Sequence, residues 1–207
     1  HYYGARLNHL GYGLLGFSEV KTTDQTTGIY KCDVYSQATA NHTQGKLTES
    51  ATYTKDDILI HLLLNTWDTK VSSYGDDYHK VYLPYPKTIT EKSYSLAGKL
   101  LSTKTTTTTI DDYDNPTKIV SSIADSTGTY TTTTDNTYEN NANSWIIGNL
   151  TKAAVTVTAP NQPSQTRVST FTYDSLGYLA STTTSANDPN YMLNKTFTRD
   201  GFGNIIK

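Results

Sequence analysis

The stretch Val168-Ser169-Thr170-Phe171-Thr172-Tyr173-Asp174-Ser175-Leu176-Gly177-Tyr178-Leu179 decides the fold. Its first half alternates with period 2, placing Ser169, Phe171 and Tyr173 on one face of a strand and Val168, Thr170 and Thr172 on the other. Its second half is a turn in chemical terms. Asp174 can cap backbone amides, Gly177 can supply a positive φ, and the hydrophobic residue that follows restarts a strand.

The same alternation extends outward through Ala154-Val155-Thr156-Val157-Thr158 and Ile29-Tyr30-Lys31-Cys32-Asp33-Val34-Tyr35. Helical spacing is nearly absent. Asp56 to Trp67 fits both periods, through Ile58, Leu59, Leu62 and Leu63 or through Ile58, Ile60, Leu62 and Leu64; the strand reading is adopted. Thr105 to Thr109 reads as the continuation of a strand into Ile110. Turn signals recur at Thr27-Gly28, Tyr74-Gly75-Asp76, Ala97-Gly98, Asn115-Pro116, Ser126-Thr127-Gly128, Leu176-Gly177 and Phe202-Gly203. Short strands punctuated in this way describe successive antiparallel hairpins.

Composition agrees. In 207 residues, Leu, Ile, Val and Phe make up only about 19%, near the level where disorder begins, yet the net charge is just −2. Seventeen Tyr and 38 Thr take up the difference, both of them types that suit a pleated, half-wet surface. The expectation is an all-β, polar protein with a thin core. No apolar run is long enough to span a membrane as a helix; Ile58 to Leu64 is the longest and His61 interrupts it. A pI near 6.2 with scattered Lys and Arg gives no footprint for nucleic acid. Cys32, the single cysteine, can form neither an internal disulfide nor a thiolate zinc site, and is read as a buried structural thiol. The chain opens on His1-Tyr2-Tyr3-Gly4 without an initiating Met and stops at Ile206-Lys207 inside an apparent strand, as a piece of a longer polypeptide would.

The decisive stretch repeats. Arg199-Asp200-Gly201-Phe202-Gly203-Asn204-Ile205 follows Phe197-Thr198 as Tyr173-Asp174-Ser175-Leu176-Gly177 follows Phe171-Thr172. A third copy is Asp111-Asp112-Tyr113-Asp114-Asn115, with Asp114 at the glycine position. A fourth is read at Tyr138-Glu139, interrupted by a polar insert before Gly148-Asn149-Leu150.

These units resemble the YD repeats of the RHS family. The opening, Tyr2-Tyr3-Gly4-Ala5-Arg6 followed by Gly11-Tyr12-Gly13-Leu14-Leu15-Gly16-Phe17, is similar to the YYG and GxGxLGF signature of the B component of insecticidal toxin complexes. Val20 to Gly28 and Tyr94-Ser95-Leu96-Ala97-Gly98 carry the likeness further. The resemblance implies a strip of a curved, hollow β shell made of successive antiparallel hairpins, with residues 1–98 as the region bearing the signature (Tyr3, Gly4, Gly11, Gly13, Gly16, Phe17) and 99–207 as repeats. It implies a non-catalytic, encapsulating segment of a secreted or surface-exposed bacterial toxin-like protein. The implied partners are the rest of the parent shell, its enclosed toxin domain and other toxin-complex subunits. Tyr173, Asp174, Gly177, Asp200, Gly203 and Asp111 are then turn residues with structural roles. The family's self-cleavage motif has no counterpart, because Asp188-Pro189-Asn190-Tyr191 lacks its context.

Other constellations have plainer readings. Gly11 to Gly16 spells GxGxxG, but a dinucleotide site needs a hydrophobic strand before it and a helix after it; a bulged, glycine-permitted strand crossing is expected instead. His1, His9, His42, His61 and His79 have no ligand-spaced partners, so no metal or cofactor is assigned. Asp111 to Asn115 is read as an acidic turn rather than a calcium loop, and Asp56-Asp57 and Asp76-Asp77 as solvated loop caps. No nucleophile elbow appears. The alternative function is a carbohydrate- or cell-surface-binding β module of an adhesin, with Trp67 and Trp145, joined by Tyr78, Tyr82 and Tyr85, as a stacking platform.

Overall fold

The structure is a computed structural model that describes residues 1–8, 11, 13–73 and 80–206. Tyr12, His9, His79, Tyr78, Asp76-Asp77 and the turn signal at Tyr74-Gly75-Asp76 lie outside the described residues. Fifteen strands follow one another: β1 Tyr2–Tyr3, β2 Arg6–Asn8, β3 Gly13–Gly16, β4 Glu19–Thr23, β5 Tyr30–Tyr35, β6 Leu47–Tyr53, β7 Leu59–Ser73, β8 Lys80–Tyr94, β9 Leu100–Ile110, β10 Pro116–Asp125, β11 Gly128–Asn141, β12 Ile146–Thr158, β13 Gln165–Tyr173, β14 Leu179–Thr184 and β15 Leu193–Thr196. Among the described residues the only helical element is the 3-10 turn Ala142–Ser144. Asp56 to Trp67 therefore enters a strand, the long β7.

The main sheet has thirteen strands in the order β1-β4-β5-β6-β7-β8-β9-β10-β11-β12-β13-β14-β15, while β2 and β3 pair apart from it. Past the opening segment, chain order is sheet order, so each connection is a hairpin. The chain divides into two compact units, His1–Thr107 with Ile123–Thr127 and Thr108–Ser122 with Gly128–Lys207.

In the first unit the antiparallel register lines up Lys21, Cys32, Ala51, Leu62 and Lys92 across β4 to β8, and on the other face Val20, Asp33, Ser50, Leu63 and Glu91. Burial is greatest on the middle strand β6, at Ser50 and Ala51. In the second unit β11 to β15 form a ladder rich in threonine. Thr156 Oγ1 lies 2.8 Å from Thr166 Oγ1, and Thr172 Oγ1 2.7 Å from Ser181 Oγ. Such hydroxyl pairs stabilise neighbouring strands where no greasy pair is available.

Leu15 and Ala51 are the only buried hydrophobic side chains among the described residues. The accessible surface is 13575 Å², against about 9600 Å² expected for a compact protein of 22.9 kDa. The excess follows from strands whose side chains are mostly half-buried rather than enclosed. That is why Thr and Tyr, which tolerate half-burial, replace Leu and Ile along the strands.

The structure corrects three readings. Cys32 is half-buried rather than buried, because its partners across the sheet are Lys21 and Ala51, a flexible chain and a single methyl, which leave the thiol partly open. Burial still pushes its thiol upward, so it stays protonated and unreactive at neutral pH. Tyr138-Glu139 is not a turn. β11 runs through both residues, and the chain reverses at Ala142–Ser144 and at Trp145, which has a left-handed φ of 55°. The polar insert thus lengthens the hairpin instead of interrupting a repeat. Asp56 and Asp57 do not cap their turn; Thr54 does so, as described next.

Candidate functional site

The residues singled out by the repeat converge on one device. In the turn starting at Asp174, its backbone N–H donates to the Tyr178 carbonyl and Gly177 N–H donates back to the Asp174 carbonyl. Asp174 Oδ1 accepts from the amides of Leu176 and Tyr178, both at 2.9 Å. Gly177, the fourth residue, has a φ of 82°. Asp200 repeats every element: its Oδ1 accepts from Phe202 and Asn204 at 2.9 Å, with Gly203 at φ 85°. So does Asp111, with Tyr113 at 2.8 Å, Asn115 at 3.0 Å and Asp114 at φ 67°.

Two further turns in the first unit have this geometry. Thr54 Oγ1 accepts from Asp56 and Ile58, with Asp57 at φ 62°, and Ser95 Oγ accepts from Ala97 and Lys99, with Gly98 at φ 75°. The carboxylate bonds run 2.8–3.0 Å and the hydroxyl bonds 3.2–3.3 Å, as expected when the acceptor is charged. The device needs a short side-chain oxygen first and a left-handed residue fourth.

The residue ahead of the turn ties it to the preceding hairpin. Tyr173 hydroxyl donates to the Leu150 carbonyl at 3.0 Å, and Arg199 Nη2 takes the same part by donating to the Leu179 carbonyl at 3.0 Å. Within the second unit successive ends touch. A Cβ on Gly177 would lie 3.1 Å from Ile146 Cγ2, and one on Gly203 3.4 Å from the Tyr178 ring. Tyr113, Trp145, Leu176 and Phe202 project from the tips of these hairpins, Trp145 and Phe202 being 86% and 92% exposed.

The opening signature forms a knot of its own. Gly4 has a φ of 63°, and a Cβ there would meet Ser18 Oγ at 1.9 Å. Ser18 N–H donates to the Tyr3 carbonyl, and the Tyr2 and Phe17 rings lie 4.9 Å apart. Gln37, which no sequence motif marks, donates from Nε2 to both the Gly4 and the Gly16 carbonyls, at 2.7 and 3.2 Å. Gly13 opens and Gly16 closes β3, Gly11 has a φ of 104°, and the next element is the strand β4. After the glycine run the next element is thus a strand rather than a helix N-terminus of the kind that receives a pyrophosphate.

Both Asp111 oxygens are consumed by the turn, Oδ2 accepting from Asn115 Nδ2 at 3.1 Å. Among the described residues no group of three His, Cys, Asp or Glu side chains could hold a metal ion. Among the described residues no helix is long and apolar enough to cross a membrane. Trp67 donates its indole N–H to the Leu47 carbonyl at 2.8 Å. Cross-strand pairing sets Trp67 against Pro86, Asp68 against Tyr85 and Val71 against Tyr82. Strand alternation therefore puts Tyr82 on the face of Trp67 and Tyr85 on the opposite face. Tyr82 is stacked on His42 at 3.6 Å between centroids.

On the first unit, Tyr30 and Tyr53 stack at 5.0 Å, and the Lys21 ammonium sits 3.6 Å from the Tyr30 ring centroid. Tyr30 hydroxyl donates to Asp57 Oδ1 at 2.7 Å. That bond favours the neutral phenol and pushes Tyr30 up to about 12. The raised value contributes stability that is complete below pH 10 and is lost as the pH climbs from 10 through about 12. In an alkaline absorbance titration one tyrosine of the 17 should keep its proton beyond the others. Asp57→Asn should return it to the ordinary range; an unchanged late step would show the bond to be irrelevant.

The described architecture is an all-β run of successive antiparallel hairpins locked at its turns. It is the fold of the toxin-complex shell, the one the repeat resemblance implies. The chain matches the crystal structure of TcdB2-TccC3 without its hypervariable C-terminal region at a TM-score of 0.72 and 10% identity, over 89% of this chain and 15% of that one. It matches TcdB2-TccC3 itself at 0.71 and 10%, with the same coverage. The Tc holotoxin pore of Photorhabdus luminescens follows at 0.70 and 9%, over 89% of this chain and 14% of that one. The chain thus spans about one seventh of the length of the chains it matches. No protein-family model and no curated protein sequence matches it.

Proposed function

We propose that this chain is a wall segment of an RHS-type shell in a secreted or surface-exposed bacterial toxin-like protein. It contributes enclosure rather than chemistry, with 1–98 as the signature region and 99–207 as the repeats. The observation that carries the reading is a fold shared over 89% of the chain with TcdB2-TccC3, built with almost no buried hydrocarbon. A wall needs stiffness and two wet faces, and turn locks with threonine ladders supply both. Tyr173, Asp174, Gly177, Asp200, Gly203 and Asp111 serve as its fasteners. The exposed tips at Tyr113, Trp145, Leu176 and Phe202 fit a strip that meets further parts of a parent shell; its cargo and other toxin-complex subunits are the remaining partners.

The sheet order ends at β15, whose four residues are all exposed. An open edge of this kind pairs with other strands. Light scattering of the isolated chain should give a mass above 22.9 kDa that rises with concentration, reduced by Leu193→Lys. A monomer independent of concentration would overturn the strip.

A further inference from the structure

A cavity of about 770 Å³ lies on the second unit, lined by Val155 and Val157 of β12, Gln165, Thr166 and Arg167 of β13, and Ser185, Asn187, Asp188 and Tyr191 of the connection from β14 to β15. Its size falls within the roughly 300–1000 Å³ typical of small-ligand sites. None of its residues belongs to a turn lock or to the opening signature. The cross-strand pairs Val155–Arg167 and Val157–Gln165 set an apolar floor beside a guanidinium and an amide on one face.

The wall over that floor is fixed. Asn187 Oδ1 accepts from Val168 N–H at 2.9 Å, and its Nδ2 donates to the Thr166 carbonyl at 2.8 Å, so a side chain imitates the next strand of the ladder. Ala186 N–H adds a bond to the Val168 carbonyl, and Asp188 and Tyr191 N–H groups close tight turns behind it. Ser185, buried, takes a left-handed φ of 54°, a conformation a non-glycine residue holds at a cost. Strain of this kind gathers where a loop is held for binding.

Two groups in the lining stand out. Arg167 is exposed, and among the described residues no carboxylate pairs with it. Tyr191 is 75% exposed, which an aromatic ring on a fixed loop does not need for folding. A planar guanidinium binds a carboxylate through two parallel N–H bonds. A tyrosine ring and valine methyls receive the apolar face of a pyranose or an acetyl methyl. Gln165 and the free oxygen of Asp188, whose Oδ1 is taken by Asn190 N–H at 3.0 Å, are left for hydroxyl groups.

We infer that this cavity binds a carboxylate-bearing saccharide, with Arg167 holding the acid group, Tyr191 and the two valines the ring face, and Gln165 and Asp188 the hydroxyls. The site stands whether or not the wall encloses a cargo.

The test is saturation-transfer NMR of the full chain with N-acetylneuraminic acid and glucuronic acid as probes, against galactose and leucine. Transfer to the acidic sugars, absent from galactose and leucine, is the expected result. Arg167→Gln should weaken binding at least about tenfold by removing the charged fork, and Tyr191→Ala should reduce transfer to the ring protons. Lys152→Gln, exposed on the opposite face of β12 from Val155, should leave binding unchanged. No transfer to either acid, equal transfer to galactose or to leucine, or full binding by a folded Arg167→Gln chain would each overturn the assignment. Association of the chain through β15 is read separately by light scattering, so failure of the wall leaves this result standing.

Discussion

Gly177→Val should cost about 3 kcal/mol and unfasten the hairpin between β13 and β14. The position has a φ of 82°, where an L residue loses about 1–2 kcal/mol and a β-branched one more. A Cβ there would lie 3.1, 3.4 and 3.5 Å from three carbons of Ile146, so the extra methyls of valine overpack the neighbouring hairpin end. Gly177→Asn separates the two causes, since asparagine tolerates the left-handed region and should cost only about 1 kcal/mol. Chemical denaturation measures both. Equal losses would mean that the crowding against Ile146, which any Cβ brings, and not the conformation, governs the turn.

Asp174→Ala should cost about 2 kcal/mol, because it removes both side-chain bonds of the lock at once. Native-state hydrogen exchange is the sharper readout. Each hairpin is held chiefly by its neighbours, so the loss should be local, with Leu176 and Tyr178 amides exchanging faster and β5–β6 amides unchanged. Asp174→Asn keeps an oxygen at Oδ1 and should lose less than half as much. A uniform rise in exchange along the chain would show that the sheet opens as one body, contrary to a wall of separately fastened ribbons.

Much of this was legible in the residues. Period-2 runs of Thr, Tyr and Val, broken by Gly and Asp, specify hairpins because a strand's two faces and a turn's φ are local properties. The locks at Asp111, Asp174 and Asp200 could be read for the same reason. The capping roles of Thr54 and Ser95 are not legible in the same way, although Ala97-Gly98 marks a turn, because any short side-chain oxygen serves, so the spelling varies while the geometry does not. Asp57 hides the fourth position in a similar way, as aspartate also enters the left-handed region, whereas the repeat itself places Asp114 at the glycine position. The role of Gln37 was invisible, since it joins Gly4 and Gly16 only after three segments have met. The Arg167 cavity was equally hidden: its floor, cation and loop come from three parts of the chain, and only the ladder brings them to one face. The stacking platform failed at Tyr85 through simple parity, one residue placing it across the sheet from Trp67.

A fabric with two buried apolar side chains among its described residues has little oil to wet when it comes apart. Its unfolding should therefore carry a heat-capacity increment below the customary figure of about 12–15 cal/mol/K per residue. Its stability curve is then shallow and broad, and chilling weakens it as little as moderate warming does. For a wall segment of the kind proposed, that insensitivity is the practical gain of being fastened at the hems and left unpadded.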